Sequence, residues 1–142
     1  MLTIAGLFAS IDPNRALEIA RSIPRASSRN EAVDLIVYVV TESDPQRALA
    51  MARTVRRKDR RVEALATVLS QLKPGSPLVA SVADEAAGIA RSIEQRDRRD
   101  AALDAIVQDL ADVEPDRAME LALIISRPKL RGRAMRCVVR HM

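Results

Sequence analysis

An all-α fold, built as a solenoid of paired helices, is predicted by three observations. One segment recurs: DPNRALEIARSI begins at Asp12, DPQRALAMARTV at Asp44, a worn VADEAAGIARSI at Val82 and EPDRAMELALII at Glu114. The alanine of its ARSI tetrad returns at Ala20, Ala52, Ala90 and Ala122, in steps of 32, 38 and 32 residues. In helical sequence such a period marks an array of helix pairs. The third observation is compositional. Hydrophobic residues make up 48% of the chain, yet aromatics are 1% and Trp is absent, so the core must be aliphatic. Ala and Leu, its main components, are strong helix formers.

Each unit reads as a leading and a trailing helix. Asp12 and Asp44 are good N-caps, and Pro13 and Pro45 fall at the first helical position, where the missing N–H costs nothing. Glu114 opens the fourth leading helix in the same way. Ala16, Ile19, Ala20 and Ile23 follow the i, i+3, i+4, i+7 spacing of an amphipathic stripe. The trailing helix repeats the pattern with Ala32, Leu35, Ile36, Val39 and Val40, and the second unit answers with Ala64, Thr67, Val68, Gln71 and Leu72. Alanine recurs at three places: Ala16/48/86/118, Ala20/52/90/122 and Ala32/64/102/134. Small residues in these stripes predict helix-crossing points, where axes approach toward the short end of about 8–10 Å.

These boundaries define one helical-repeat domain over 1–142: a half repeat at 1–11, then repeats at about 12–43, 44–76, 77–113 and 114–142, or about nine helices. The interruption Lys73-Pro74-Gly75-Ser76-Pro77 accounts for the six extra residues of the long step. Ser76 is expected to act as a fresh N-cap, with Pro77 first in a third leading helix longer by about a turn and a half. Both ends are apolar, with Ile4, Leu7 and Phe8 at one and Met135, Val138, Val139 and Met142 at the other. Solenoids normally close with polar caps, so the uncapped ends predict self-association or a piece of a longer array.

The recurrent RALEIA-type leading helices and the arginine near the start of each trailing helix give the chain an architecture that resembles bacterial α-solenoid proteins of the HEAT-like and tetratricopeptide-like kind. The Trp, Leu-Gly and Tyr of the tetratricopeptide signature are missing from the leading helix. The resemblance covers nearly the whole chain and implies a right-handed α-solenoid with a binding or scaffolding role.

Residue usage argues against chemistry. His141 is the single histidine and Cys137 the single cysteine, so no triad, dyad, intramolecular disulfide or Cys-based zinc site can be assembled. Cys137 aligns with Leu35, Thr67 and Ala105 and reads as a small buried hydrophobe. Glu31, Glu63, Asp100 and Asp104 lie beside the apolar stripe and read as a solvated face. The four glycines are scattered, so no phosphate loop exists, and neither enzyme activity nor a cofactor is expected. No stretch approaches the roughly 18 apolar residues of a membrane span, and MLTIAGLFAS lacks the basic start of a signal peptide. A cytoplasmic location and no membrane partner are the expectation.

Charge distribution is the most informative functional feature. The chain carries 23 Lys and Arg against 19 Asp and Glu, net +4. The turns inside pairs are basic: PRASSR (24–29) is +2, RRKDRR (56–61) +4, EQRDRR (94–99) +1 and SRPKLR (126–131) +3. The links between pairs are −1 for ASIDPN (9–14), −2 for TESDPQ (41–46), +1 for KPGSPL (73–78) and −3 for ADVEPD (111–116). A solenoid puts turns on one edge and links on the other, which predicts a basic edge opposite an acidic one. Arg29, Arg61, Arg99 and Arg131 hold one position in all four units, near a helix start where a cation is disfavoured. Two readings follow: a ladder in which each guanidinium binds carbonyls or carboxylates of the neighbouring unit, which is favoured, or an arginine row for an anionic partner. Arg56, Arg57, Lys58, Arg60, Arg96 and Arg98 are the candidate partner-binding residues.

The sequence thus predicts a noncatalytic protein–protein interaction or scaffold module whose repeat surface or basic edge docks another protein, an acidic one if the edge is used. The alternative is binding of duplex nucleic acid through its backbone. Single-strand binding normally adds aromatic stacking platforms, and Phe8 and Tyr38 sit on apolar positions or flanks of helices.

Overall fold

The computed structural model describes residues 12–142, and within them the chain forms eight helices: α1 (Pro13–Arg21), α2 (Ala26–Ser43), α3 (Pro45–Arg53), α4 (Lys58–Gln71), α5 (Leu78–Arg91), α6 (Arg96–Leu110), α7 (Pro115–Leu123) and α8 (Pro128–Arg140). Residues 1–11, with the predicted half repeat and Ile4, Leu7 and Phe8, lie outside the described residues. Consecutive helices pack against one another, with α1–α2, α3–α4, α5–α6 and α7–α8 as the four pairs in chain order. The longer members α2, α4, α6 and α8 pack side by side in one layer. Each of α3, α5 and α7 sits between its own partner and the long helix before it. Contacts run almost entirely between neighbours, so the architecture is all-α and solenoid-like.

Local chemistry sets the helix starts. The Asp12 and Asp44 carboxylates accept from the backbone N–H of Arg15 and Arg47, both at 3.2 Å, and a proline follows each. Glu114 stands at the N-cap of α7 without a side-chain capping bond. Its carboxylate lies 3.7 Å from Arg117 instead. The interruption at 73–77 is a type II turn closed by Ser76 N–H to the Lys73 carbonyl at 3.0 Å. Pro74 precedes Gly75, whose φ of +84° is strained for any side-chain-bearing residue. Helix α5 begins at Leu78, one residue later than the sequence predicts, although Pro77 is already helical and Ser76 Oγ accepts from Leu78 N–H at 3.3 Å. It has 14 residues against nine in α1, α3 and α7.

All twelve recurrent alanines are buried, none more than 3% exposed. They are the packing points, and larger residues are accommodated around them: Ile36, Leu49, Leu65, Leu103 and Ile106 are fully enclosed. The substitution Ala52→Leu or Ala90→Leu forces three extra carbons into a fully buried helix contact. Each is expected to cost about 1–3 kcal/mol, read as a lowered midpoint in thermal or urea unfolding. An unchanged midpoint would refute the packing role of these alanines.

At the C-terminal end Val138 is buried and Met135 half-buried, while Val139 and Met142 are exposed. Leu123 and Ile124 are exposed as well. No helix of the described residues is long and apolar enough to cross a membrane.

Candidate functional site

The turns inside pairs do lie side by side, because side chains tie each to the next. Arg21 donates to Thr54 Oγ1 at 2.6 Å, joining the first turn to the second. Lys58 Nζ reaches the Ser92 carbonyl at 3.3 Å, joining the second to the third. Asp100 joins the third to the fourth. Further along the helices, Arg53 holds Glu85 at 2.8 Å and Arg117 pairs with Asp84. The Glu85 carboxyl is held below its usual range by the hydrogen bond from Arg53, and the Arg53 guanidinium is correspondingly raised.

The recurring arginines act differently from the predicted ladder. Arg29 donates to the Ile23 carbonyl at 3.1 Å, Arg61 to Val55 at 2.7 Å, Arg99 to Ile93 at 3.3 Å and Arg131 to Ile125 at 3.4 Å. Each acceptor lies six residues back, inside the same pair and not in the neighbouring one. It is the residue just past the C-cap of the leading helix, a place where a helix leaves carbonyls without partners. The guanidinium therefore sits at the start of one helix in sequence but at the negative end of another in space. That placement removes the apparent conflict with the helix dipole.

The six candidate partner-binding residues divide. Arg57 is paired with Asp59 and Arg60 with Glu63, both at 2.9 Å, and Lys58 is committed to Ser92. Arg56, Arg96 and Arg98 are exposed and make no side-chain hydrogen bond or ion pair to any described residue. A cavity of about 700 Å³ opens between the first and second pairs, rimmed by Arg21, Arg29, Arg56, Arg57 and Arg60. Leu17, Val33 and Val55 give it an apolar floor, and Asn30 and Asp34 complete the wall. Burial, and then the Glu63 charge, push the Asp34 carboxyl up to about 6, against the pull of Arg60.

Asp100 departs furthest from the sequence-based expectation. It is fully buried, not part of a solvated face. Its carboxylate accepts from Ser126 N–H at 3.0 Å, Ser126 Oγ–H at 2.7 Å, Arg127 N–H at 3.2 Å and Arg127 Nε–H at 3.3 Å. Arg127 is the N-cap of α8 and provides no capping side chain of its own. Asp100 caps the helix from the neighbouring pair. Burial alone would raise this carboxyl; the bonds from Ser126 and Arg127 outweigh it and hold the carboxyl below its usual range.

Cys137 packs against the hydrophobic core, as expected, but is not fully enclosed. It is half-buried, and its thiol donates to Gln108 Oε1 at 3.1 Å. Tyr38 is 43% exposed, a single ring with no aromatic neighbour in the sequence between it and the C-terminus. Among the described residues no group of three or more His, Cys, Asp or Glu is placed to hold a metal ion.

The class these features define is an all-α protein of neighbour-packed helix pairs with an arginine-rich edge. Compared with protein-family models, curated proteins and solved structures, the chain finds no match in any of the three.

Proposed function

We propose that this chain is a noncatalytic helical-repeat module that docks an acidic protein on its basic edge. In this reading the four pairs are copies of one 32-residue unit in a right-handed solenoid of the HEAT-like or tetratricopeptide-like kind, working in the cytoplasm. The observation that carries it is the set of unpaired, exposed guanidinium groups of Arg56, Arg96 and Arg98 along the ordered row of turns. Arginines that only served the fold would be engaged like Arg29 or Arg61; these three hold their donors in solvent. Guanidinium forks match carboxylates bidentately, and neighbour-packed helix pairs offer a long surface for a partner.

The test is affinity capture with and without nuclease, comparing wild type with Arg96→Glu/Arg98→Glu. The partner is expected to survive nuclease and to be lost on charge reversal, while the melting temperature stays nearly constant because surface substitutions of this kind cost under about 0.5 kcal/mol. Loss of all partners on nuclease treatment, with a steep salt dependence of binding to a DNA or RNA duplex, would favour the nucleic-acid reading. An interaction that survives the double reversal would remove the edge from consideration.

A further inference from the structure

The molecule contains its own demonstration of how this edge holds an anion. At the junction of the third and fourth pairs, the Asp100 carboxylate sits against two backbone N–H groups, those of Ser126 and Arg127, and against the Arg127 guanidinium. The junction of the first and second pairs has the corresponding positions without the carboxylate. Asp100 is the fifth residue of α6 and Asn30 the fifth of α2. Arg127 caps α8 at φ −79°, ψ 120°, and Arg57 caps α4 at φ −72°, ψ 129°, so the chain enters the two helices alike, and the Arg56 and Arg57 amides correspond in register to those that face Asp100. Arg56 and Arg57 are lining residues of the 700 Å³ cavity, together with Asn30. No described residue bonds to either amide, and Asn30 makes no hydrogen bond there. The α4 N-cap likewise lacks a side-chain capping bond.

We infer that this cavity is a binding site for the C-terminal residue of a partner chain. Its α-carboxylate takes the place at Arg56 and Arg57 that the Asp100 side chain takes at Ser126 and Arg127. The inference rests on the interaction-module reading and gives that module a defined anchor.

The surroundings fit that ligand. Five guanidinium groups line the cavity against a single acid, Asp34. Most already hold one partner, but a guanidinium carries five donors, and Arg60 keeps a buried Nε without any partner. The Arg56 guanidinium is bonded to no described residue. The floor of Leu17, Val33 and Val55 then suits an aliphatic side chain next to the carboxylate. The volume is that of a small-ligand pocket, enough for a terminal residue or two, and too small for an internal stretch of folded chain. Backbone N–H groups flanked by basic side chains are a recurring way to capture a chain terminus. The second junction does not compete, because the aligned residue there is the buried Val62.

The probe is N-acetyl-leucine, a C-terminal leucine without its chain, titrated into the full protein with amide shifts followed by NMR. Saturable shifts are expected at Arg56 and Arg57, and N-acetyl-leucinamide, which lacks the charge, should leave them unmoved at the same concentrations. Asn30→Asp, which supplies a carboxylate from within, should abolish the titration and raise the melting temperature. Should its proximity to Asp34 disturb the fold, Asn30→Asp/Arg56→Ser copies the whole Asp100–Ser126 arrangement and should do the same. Equal binding of the amide, shifts confined to other residues, tighter binding of the α-amide of N-acetylaspartate, or wild-type binding by the double variant would each overturn the proposal. Arg96→Glu/Arg98→Glu should bind N-acetyl-leucine as wild type does, so failure of the carboxylate site and failure of the edge reading are told apart.

Discussion

Replacing Asp100 by Asn is expected to lower the melting temperature by about 10 °C, the largest effect of any polar substitution in the chain. The carboxylate is fully buried and accepts four hydrogen bonds from Ser126 and Arg127. An amide in its place keeps one acceptor and turns an NH₂ group toward the remaining donors. A hydrogen bond to a charged group contributes about 1.5–3 kcal/mol, and several are lost together. Because Arg127 is half-exposed and can re-solvate, the expected total is the upper end of that single-bond range, about 3 kcal/mol. For a domain of this size that loss converts to the ten-degree shift. Asp100→Ala should cost at least as much, since it leaves both N–H groups unpaired over a small cavity.

The same residue dictates the acid side of the stability profile. Its folded carboxyl lies below the usual range, so the unfolded chain binds the proton first as pH falls. The stabilisation is complete above the unfolded value of about 3.9 and is lost as pH drops through the folded one. Asp34 and Asp109 act in the opposite sense. Burial raises both carboxyls to about 6, with Glu63 adding to the first and Asp112 to the second. Their neutral forms favour the fold, and that contribution fades as pH rises from about 4 to about 6. Chemical unfolding from about pH 3 to about pH 8 should therefore show a rise on leaving acid, then a decline complete by about pH 7. In Asp100→Asn the acid-side rise should be shallower and the later decline unchanged. An identical acid limb in both proteins would mean that Asp100 does not titrate as described.

Most of the helical framework is legible in the sequence because the signals behind it are local. Asp12 and Asp44 before proline specify helix starts within a single turn, and the recurrent alanines specify burial through spacing alone. Every one of those alanines is enclosed. Spacing does not report the reach of side chains across turns. A helix start is a poor place for a cation, and that alone points the four recurring arginines at neighbouring units. In the folded chain the acceptor is the carbonyl six residues back, a distance that only the geometry of the turn brings within reach. Asp100 is hidden from sequence for a related reason. Its position beside the stripe faces solvent on an isolated helix, and it is the next pair that covers it. Cys137 shows the limit of aligning by position: Leu35 and Ala105 suggest an apolar site, yet Gln108 meets the thiol there. The cavity has no sequence signature, since residues far apart along the chain, from α1, α2 and the start of α4, meet only in the fold to line it.

Truncation of Ile106 to Ala should show whether the chain unfolds as a string of neighbours or as one body. Ile106 is fully buried in α6, the helix that packs on α4, α5, α7 and α8. Removing three carbons costs their transfer energy plus that of the cavity left behind, about 2–5 kcal/mol. Leu123→Ala, at a side chain 54% exposed on the surface of α7, should by contrast stay within about 0.5 kcal/mol. The distribution of the Ile106 loss is the more telling quantity. In a chain whose helices touch only their neighbours, stability is close to a sum of unit and interface contributions, and α6 takes part in the interfaces on both of its sides. Amide hydrogen exchange should then lose protection first in α4 to α8, since α6 and the helices packed on it surround the cavity. Helices α1 to α3 do not pack on α6 and should keep more of theirs, because partial openings need not propagate through the whole array. Equal loss of protection in every helix would mean that the pairs fold as a single cooperative core. The neighbour-limited packing would then describe the contacts of the molecule without governing its energetics.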